Sequence, residues 1–246
     1  MRRKKAVCLI SGGLDSCVTA FLAQQQGYDI YGLSFHYGQR HTKELRCAKR
    51  IGRALGVKDH IFFTVDLAKF GGSSLFASSS KTIRHQPTRS IGKSIPQTYV
   101  PARNTVFLSL GLAYAETLDA DAIFIGANAV DYSGYPDCRP EYIQAYQDLV
   151  SCGTKKGVEG KTISIEAPLL HLSKAEIIQE GQRLNVPFED TWSCYKGEKK
   201  ACGQCDSCLL RLKGFQEASV LDPLEYETMP SWYTRFVQTK EKETKN

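Results

Sequence analysis

Ser11-Gly12-Gly13-Leu14-Asp15-Ser16 groups two hydroxyls, a glycine pair and a carboxylate directly after the apolar run Ala6-Val7-Cys8-Leu9-Ile10. A short apolar run ending in Gly-Gly reads as a buried strand that turns sharply. Helical spacing starts at Leu14, passes through Val18 and Leu22, and meets a stop at Gly27. A strand, a glycine turn and a helix N-terminus together form an anion site. Backbone N–H groups and the positive end of the helix dipole converge there, and glycine lets a phosphate approach the main chain. Ser11 and Ser16 add hydroxyl donors. Asp15 is the odd member, since a carboxylate repels phosphate unless it holds a helix start or a Mg²⁺ ion. The spacing to a Lys-Ser/Thr pair is missing, so this is not a Walker A loop. The residues alone describe a polyphosphate cradle; the plainer alternative is a bare turn from strand to helix.

Cys194, Cys202, Cys205 and Cys208 stand at C-x7-C-x2-C-x2-C near the C-terminus. Two residues between cysteines let neighbouring thiolates grip one ion, and four complete a tetrahedral zinc site with Zn–S of about 2.3 Å. An iron–sulfur cluster shares the C-x2-C-x2-C run, and a redox pair is a third option. Zinc is favoured because there is no fourth cysteine with a following proline and no evident redox chemistry. A closed four-cysteine site is structural and would clamp residues 192–215 onto the rest of the chain. Of the other five cysteines, Cys8 reads as core and Cys17 as a small filler.

Three further segments carry chemistry. His36-Tyr37-Gly38-Gln39-Arg40-His41 offers an aromatic face, an amide and a fixed cation, with Arg40 suited to holding pyrophosphate as it leaves. Pro101-Ala102-Arg103-Asn104 precedes a helical pattern, with Asn104 as its N-cap and Arg103 beside an anion site if the helix starts there. The richest segment runs from Asn128 to Pro140 and contains Asp131, Tyr132, Ser133, Tyr135, Asp137 and Arg139. A purine-like heterocycle needs stacking faces and carboxylates that accept from its N–H groups, which suits Asp131 and Asp137. Solvated loops are the alternative for each segment.

These groups need a scaffold that brings strand ends together. Apolar strands are expected at Ile30–Tyr37, Ile61–Val65, Ala122–Ala127 and Thr162–Ala167, with helices at Lys43–Leu55, Asn104–Leu118 and Ser173–Leu184. Gly56 closes the first of these helices, and Ser173-Lys174-Ala175-Glu176 opens the last as a capping box. Between Phe70 and Pro101 periodicity fails, giving a long loop or insertion over Phe70–Ile95. Only Lys240 to Asn246 reads as a solvated tail. Alternating strands and helices imply an α/β fold, a doubly wound parallel sheet with right-handed crossovers, whose ligands bind beyond the carboxyl ends of the strands. The division expected is a nucleotide-binding α/β domain over residues 1–190 and a small metal-binding segment with its tail over 191–246.

At 246 residues, 42% hydrophobic and 24% charged, the chain has the composition of a soluble globular protein. A net charge of +6 suits an anionic ligand but is too small to demonstrate nucleic-acid binding. The most apolar window, Val106 to Leu118, is too short and too polar for a membrane span. The basic N-terminus cannot be a cleaved signal, because its short apolar run ends in the phosphate loop. A cytoplasmic location is expected, where nine cysteines point to thiols and metal ligands.

Ser11 to Ser16 resembles the SGGxDS loop of the PP-loop ATP pyrophosphatases, which cleave ATP between the α- and β-phosphates and adenylate an oxygen. The wider set is similar to the 7-cyano-7-deazaguanine synthase family over roughly residues 5–218. That set is the loop, His36–His41, Pro101–Asn104, Asp131–Arg139 and the terminal cysteines. The resemblance implies conversion of 7-carboxy-7-deazaguanine to the nitrile preQ0, a precursor for queuosine in tRNA, using ATP, Mg²⁺ and ammonia, by adenylation and through an amide.

It implies nucleotide contacts at Ile10, Ser11, Gly12, Gly13, Leu14, Asp15 and Ser16, continuing through Cys17, Val18, Thr19 and Ala20. Ser11, Asp15, Ser16, Arg40 and Arg103 would act in catalysis. Tyr37, Arg103, Asp131, Tyr132, Ser133, Tyr135, Asp137 and Arg139 would bind the deazaguanine. Asp15 would be an indirect Mg²⁺ ligand, and one structural zinc would sit on the four cysteines. Free ammonia would be the nitrogen donor, and no nucleic acid would be a direct substrate. Asp222 to Asn246 departs from the family by extending past its familiar core, and a homodimer is left open. The rivals are a tRNA-thiolating or lysidine-forming PP-loop enzyme and a zinc-ribbon nucleic-acid-binding module.

Overall fold

The computed structural model describes residues 3–79, 95–130 and 135–243. Its centre is a five-stranded parallel sheet of β1 (Lys5–Leu9), β2 (Asp29–His36), β3 (Asp59–Thr64), β4 (Ala122–Phe124) and β5 (Ser164–Glu166), in the order β3-β2-β1-β4-β5. Alternation along β1 explains the layers. Ala6 and Cys8 enter one core, and Val7 and Leu9 enter the other. The first core is covered by α1 (Leu14–Gln25), α2 (Lys43–Leu55), α6 (Lys174–Arg183) and α7 (Asp206–Glu217). The second lies under α3 (Arg103–Thr117) and α4 (Pro140–Gly153), which a short α5 (Lys155–Val158) follows.

The expected strands and helices of the first half are present, and Gly56 ends α2 in the left-handed conformation. Ser173 and Glu176 form the capping box at α6, with Ser173 N–H donating to Glu176 Oε2 at 2.7 Å. Three expectations need correction. β4 and β5 are shorter than expected, because only Ala122–Phe124 and Ser164–Glu166 pair with neighbouring strands. Asn104 is not the cap of α3; Ala102 takes that position with φ of 54°. The C-terminal tail is not free chain up to its described end. α8 (Ser231–Glu243) runs through Lys240, anchored by Tyr233, whose ring is buried in the first core. The long loop expected over Phe70–Ile95 falls largely on residues 80–94, which lie outside the described residues.

The four cysteines share the first core with the sheet-facing side of α1 and α6. His60, on edge strand β3, lays its ring against Gly32 and Gly52. Ser34 Oγ accepts from His60 Nε2 at 2.8 Å and donates to the carbonyl of Ile10, bracing the exit of β1. Burial keeps His60 neutral by lowering its pKa to about 4.

Candidate active site

The strand order reverses between β1 and β4, and open α/β sheets bind ligands at that crevice. A cavity of about 250 Å³ opens there, lined by the Ser11–Ser16 loop, the ends of β2 and β4, the start of α3 and the start of α6.

Two glycines set the loop's shape. Gly12 has φ of +90°, and a Cβ on it would lie 2.0 Å from the Glu44 carbonyl oxygen, so α2 rests directly on the loop. A Cβ on Gly126 would meet the Ser16 nitrogen at 2.8 Å, so the chain leaving β4 passes against the N-terminus of α1. Ser11 Oγ and Ser16 Oγ are 2.9 Å apart, and Gly13 N–H donates to Ser11 Oγ at 3.2 Å. The N-cap of α1 is Gly13, and no side chain caps the helix. Its positive end therefore faces the cavity.

Asp15 is paired across the cavity wall with Lys174, the first residue of α6, at 2.6 Å. This answers the question of why a carboxylate belongs in an anion site: a buried cation neutralises it. Lys174 was legible in the sequence only as part of a capping box. Glu44, in the first turn of α2, also lines the cavity and went unread, because an acidic first turn is ordinary helix chemistry. Burial raises the Glu44 pKa to about 7, although Arg103 pulls it down.

Ile10, Ser11, Gly13, Leu14, Asp15, Ser16, Tyr37, Arg40, Arg103 and Tyr135 all line the cavity. Arg103 lies 5.8 Å from the centre of the Tyr37 ring. Burial works against its charge, and Tyr37, Tyr135 and Asp137 more than offset this, so its pKa is raised. Arg103 makes no ion pair within salt-bridge distance to any described carboxylate, which leaves a cation available to an anionic ligand. Arg40 donates from Nε to the Ser74 carbonyl at 2.9 Å and from Nη2 to the Ser79 carbonyl at 3.0 Å.

Other expected site residues are not brought to the cavity. Cys17, Val18, Thr19 and Ala20 are buried within α1, three of them in the first hydrophobic core, behind the loop. The Asp137 carboxylate accepts from the Asn104 backbone N–H at 3.0 Å and so caps α3 from a distance. Arg139 is exposed at the N-cap of α4. Asp131, Tyr132 and Ser133 lie outside the described residues.

The four cysteine sulfurs lie within 4.8 Å of one another, all buried. Cys202 and Cys208 sulfurs are 3.9 Å apart, close to the roughly 3.8 Å edge of a tetrahedron with 2.3 Å metal–sulfur bonds. Backbone N–H groups of Lys196 and Cys202 donate to Cys194 Sγ, and those of Gln204 and Cys205 to Cys202 Sγ. Such donors favour thiolates, so the donor set fits a tetrahedral metal. The cluster is tied to the phosphate loop. Trp192 N–H donates to the Gly12 carbonyl at 2.8 Å, and Trp192 Nε1 donates to the Cys194 carbonyl at 2.8 Å. Lys43 Nζ sits 3.3 Å from the centre of the Trp192 ring.

The chain beyond residue 219 closes this region. Arg211 donates from Nε and Nη2 to both oxygens of Asp222, at 2.7 and 2.9 Å, and also to Thr191 Oγ1 at 2.7 Å. Tyr226 OH donates to Asp222 Oδ2 at 2.6 Å. Among the described residues no helix is long and apolar enough to cross a membrane.

Comparison with known proteins agrees with this geometry. The sequence is 50% identical to the 7-cyano-7-deazaguanine synthase of Thermoplasma acidophilum over 242 residues, covering 98% of this chain and 100% of that one. It is 53% identical to the 7-cyano-7-deazaguanine synthase of Citrifermentans bemidjiense, covering 92% of this chain and 100% of that one. The enzyme of the same name from Desulfatibacillum aliphaticivorans is 54% identical, with 92% and 98% covered. Residues 5–219 match the family described as queuosine biosynthesis protein QueC, and the chain belongs to that family.

Proposed function

We propose that this chain uses ATP and ammonia to convert the carboxylate of 7-carboxy-7-deazaguanine to the nitrile, through the amide. The observation that carries the reading is that a polyphosphate loop and a half-buried cation without an ion pair among the described residues, Arg103 beside Tyr37 and Tyr135, share one cavity. The loop grips the phosphates and Arg103 holds the carboxylate of the deazaguanine. A carboxylate oxygen attacks the α-phosphorus and pyrophosphate leaves, giving an acyl adenylate. Ammonia forms the C–N bond as AMP departs with the C–O electron pair. The amide oxygen is then adenylated in the same way, and loss of AMP and of both remaining protons from nitrogen leaves the nitrile.

Catalysis in this reading comes from positioning and from charge neutralisation by Lys174, Arg40 and the N-terminus of α1. Mg²⁺, bound with the nucleotide near Asp15, would neutralise phosphate charge. Zinc on Cys194, Cys202, Cys205 and Cys208 would be structural, holding Trp192 against the loop. The tRNA-directed alternative has no observation in its favour.

The test is product mass from purified protein with ATP, Mg²⁺, ammonium and the carboxylate. Nitrile is expected, with one AMP for each activation. Carboxylate returned unchanged while a tRNA becomes modified would overturn the reading. Lys174→Met is expected to leave Asp15 unneutralised in the cradle and to weaken ATP binding at least about tenfold, since a buried charge left without its partner costs several kcal/mol. Calorimetric titration with ATP measures this, and unchanged affinity would remove Lys174 from the phosphate site.

A further inference from the structure

The proposed reaction releases three protons from nitrogen, one as ammonia becomes the amide and two as the adenylated amide becomes the nitrile. The groups assigned above are cations, hydroxyls and an already paired carboxylate, so a proton acceptor is missing. Among the described residues Glu44 is the remaining carboxylate on the cavity wall. Among the described residues its side chain makes no hydrogen bond and no ion pair. Its helix turn sits directly on Gly12, so it is carried by the element that also supports the phosphate loop.

The charged and titratable groups around it come from several elements. Arg103 of α3 lowers its pKa and Cys194 raises it, while Tyr37 after β2 feels the Glu44 charge in turn. Arg40 lines the same cavity. Lys43, beside it in sequence, points away to the carbonyls of Glu198 and Lys199 at 2.7 and 2.8 Å.

We infer that the Glu44 carboxylate is the general base of the reaction, accepting a proton from nitrogen in the step that forms the amide and in the step that forms the nitrile. This rests on the reading above. In the first step the nitrogen lone pair forms the C–N bond, the C–O bond to AMP breaks, and the proton passes from nitrogen to the carboxylate. In the second, the adenylated amide sheds one nitrogen proton to solvent to give the neutral imidate, the last proton passes from nitrogen to the same carboxylate, its N–H electron pair completes the triple bond, and the C–O bond to AMP breaks. Solvent removes each proton before the next transfer. Burial with partial compensation by Arg103 sets the pKa near neutrality, where a base is both deprotonated and effective.

Glu44→Gln tests this with two nucleophiles. Ammonia needs a base once it has added to the acyl adenylate. Hydroxylamine is far less basic at nitrogen, so its adduct sheds the proton to water. The variant is expected to lose about 100-fold in ammonia-dependent amide formation while hydroxamate formation stays within a few-fold of wild type. The rise of the wild-type rate through about pH 7 should vanish in the variant.

Ligand-free Glu44→Gln should also unfold at a higher temperature than wild type at pH 8, with the difference closing by pH 5. The raised pKa of the native carboxyl means that ionisation costs stability as pH rises between the unfolded and folded values. Equal losses with both nucleophiles, or none with ammonia, would overturn the inference. Wild-type protein inactive with both would instead overturn the proposed function.

Discussion

Asp222→Ala is expected to destabilise the protein by about 3–5 kcal/mol, because it strands a buried guanidinium. Arg211 and Asp222 side chains are 2% and 0% exposed, and the pair is bidentate. Burial opposes the charge on Arg211 and Asp222 outweighs it, so the native pKa of Arg211 is raised. Without the carboxylate, Arg211 keeps only neutral partners such as Thr191 Oγ1 and the Phe188 carbonyl. Tyr226 OH and the Leu224 N–H lose their acceptor at the same time. Urea denaturation followed by tryptophan fluorescence measures the loss, since Trp192 and Trp232 both pack against this region. An Asp222→Leu, Arg211→Met double variant should recover much of it, because apolar replacement of a buried pair removes the uncompensated charge. A single variant within about 1 kcal/mol of wild type would mean that water reaches Arg211.

A larger effect is expected from Cys205→Ser. Wild-type protein should carry one zinc per chain by elemental analysis, and the variant none. Structural zinc contributes up to roughly 10–16 kcal/mol in isolated small domains. Here the sulfurs also belong to the first core, so the loss reaches Leu212, Phe215 and Tyr233. The variant should unfold at lower denaturant than Asp222→Ala. ATP affinity should fall with it, because the cysteine segment presents Trp192 to Gly12. Iron with sulfide in the native protein, or full metal content in the variant, would contradict the assignment.

What the sequence disclosed is what depends on near neighbours. The phosphate loop follows from residues 11–16, the capping box from Ser173 and Glu176, and the cysteine cluster from two short spacings. What it concealed depends on partners far along the chain. Asp15 and Lys174 meet across 159 residues, and nothing local to either says so. Asp137 reads as a ligand for a base because a carboxylate in a loop offers the same oxygens to a substrate or to a helix N-terminus; only the fold brings Asn104 to it. Gln144, Gln147, Asp148 and Ser151 interrupt the apolar stripe of α4, which buries only Tyr146 and Val150, so its periodicity is weak. Tail helix α8 is polar apart from its first turns, and its order comes from Tyr233 reaching the core and accepting from the Asp222 N–H at 2.9 Å.

The first strand of the chain is the middle strand of the sheet. During synthesis β2 reaches β1 after a single helix, but β4 cannot pair until Ala122 to Phe124 have been made. Until then the growing chain carries β1, β2 and β3 as a half-sheet with one long apolar edge open to other strands. Closing that edge is a long-range event with a large loop entropy, which makes it a slow part of folding. The same closure brings Gly126 against Ser16 and so creates the crevice. A nascent chain therefore has no nucleotide site while it can still aggregate through β1, and it acquires the site in the act of sealing that edge.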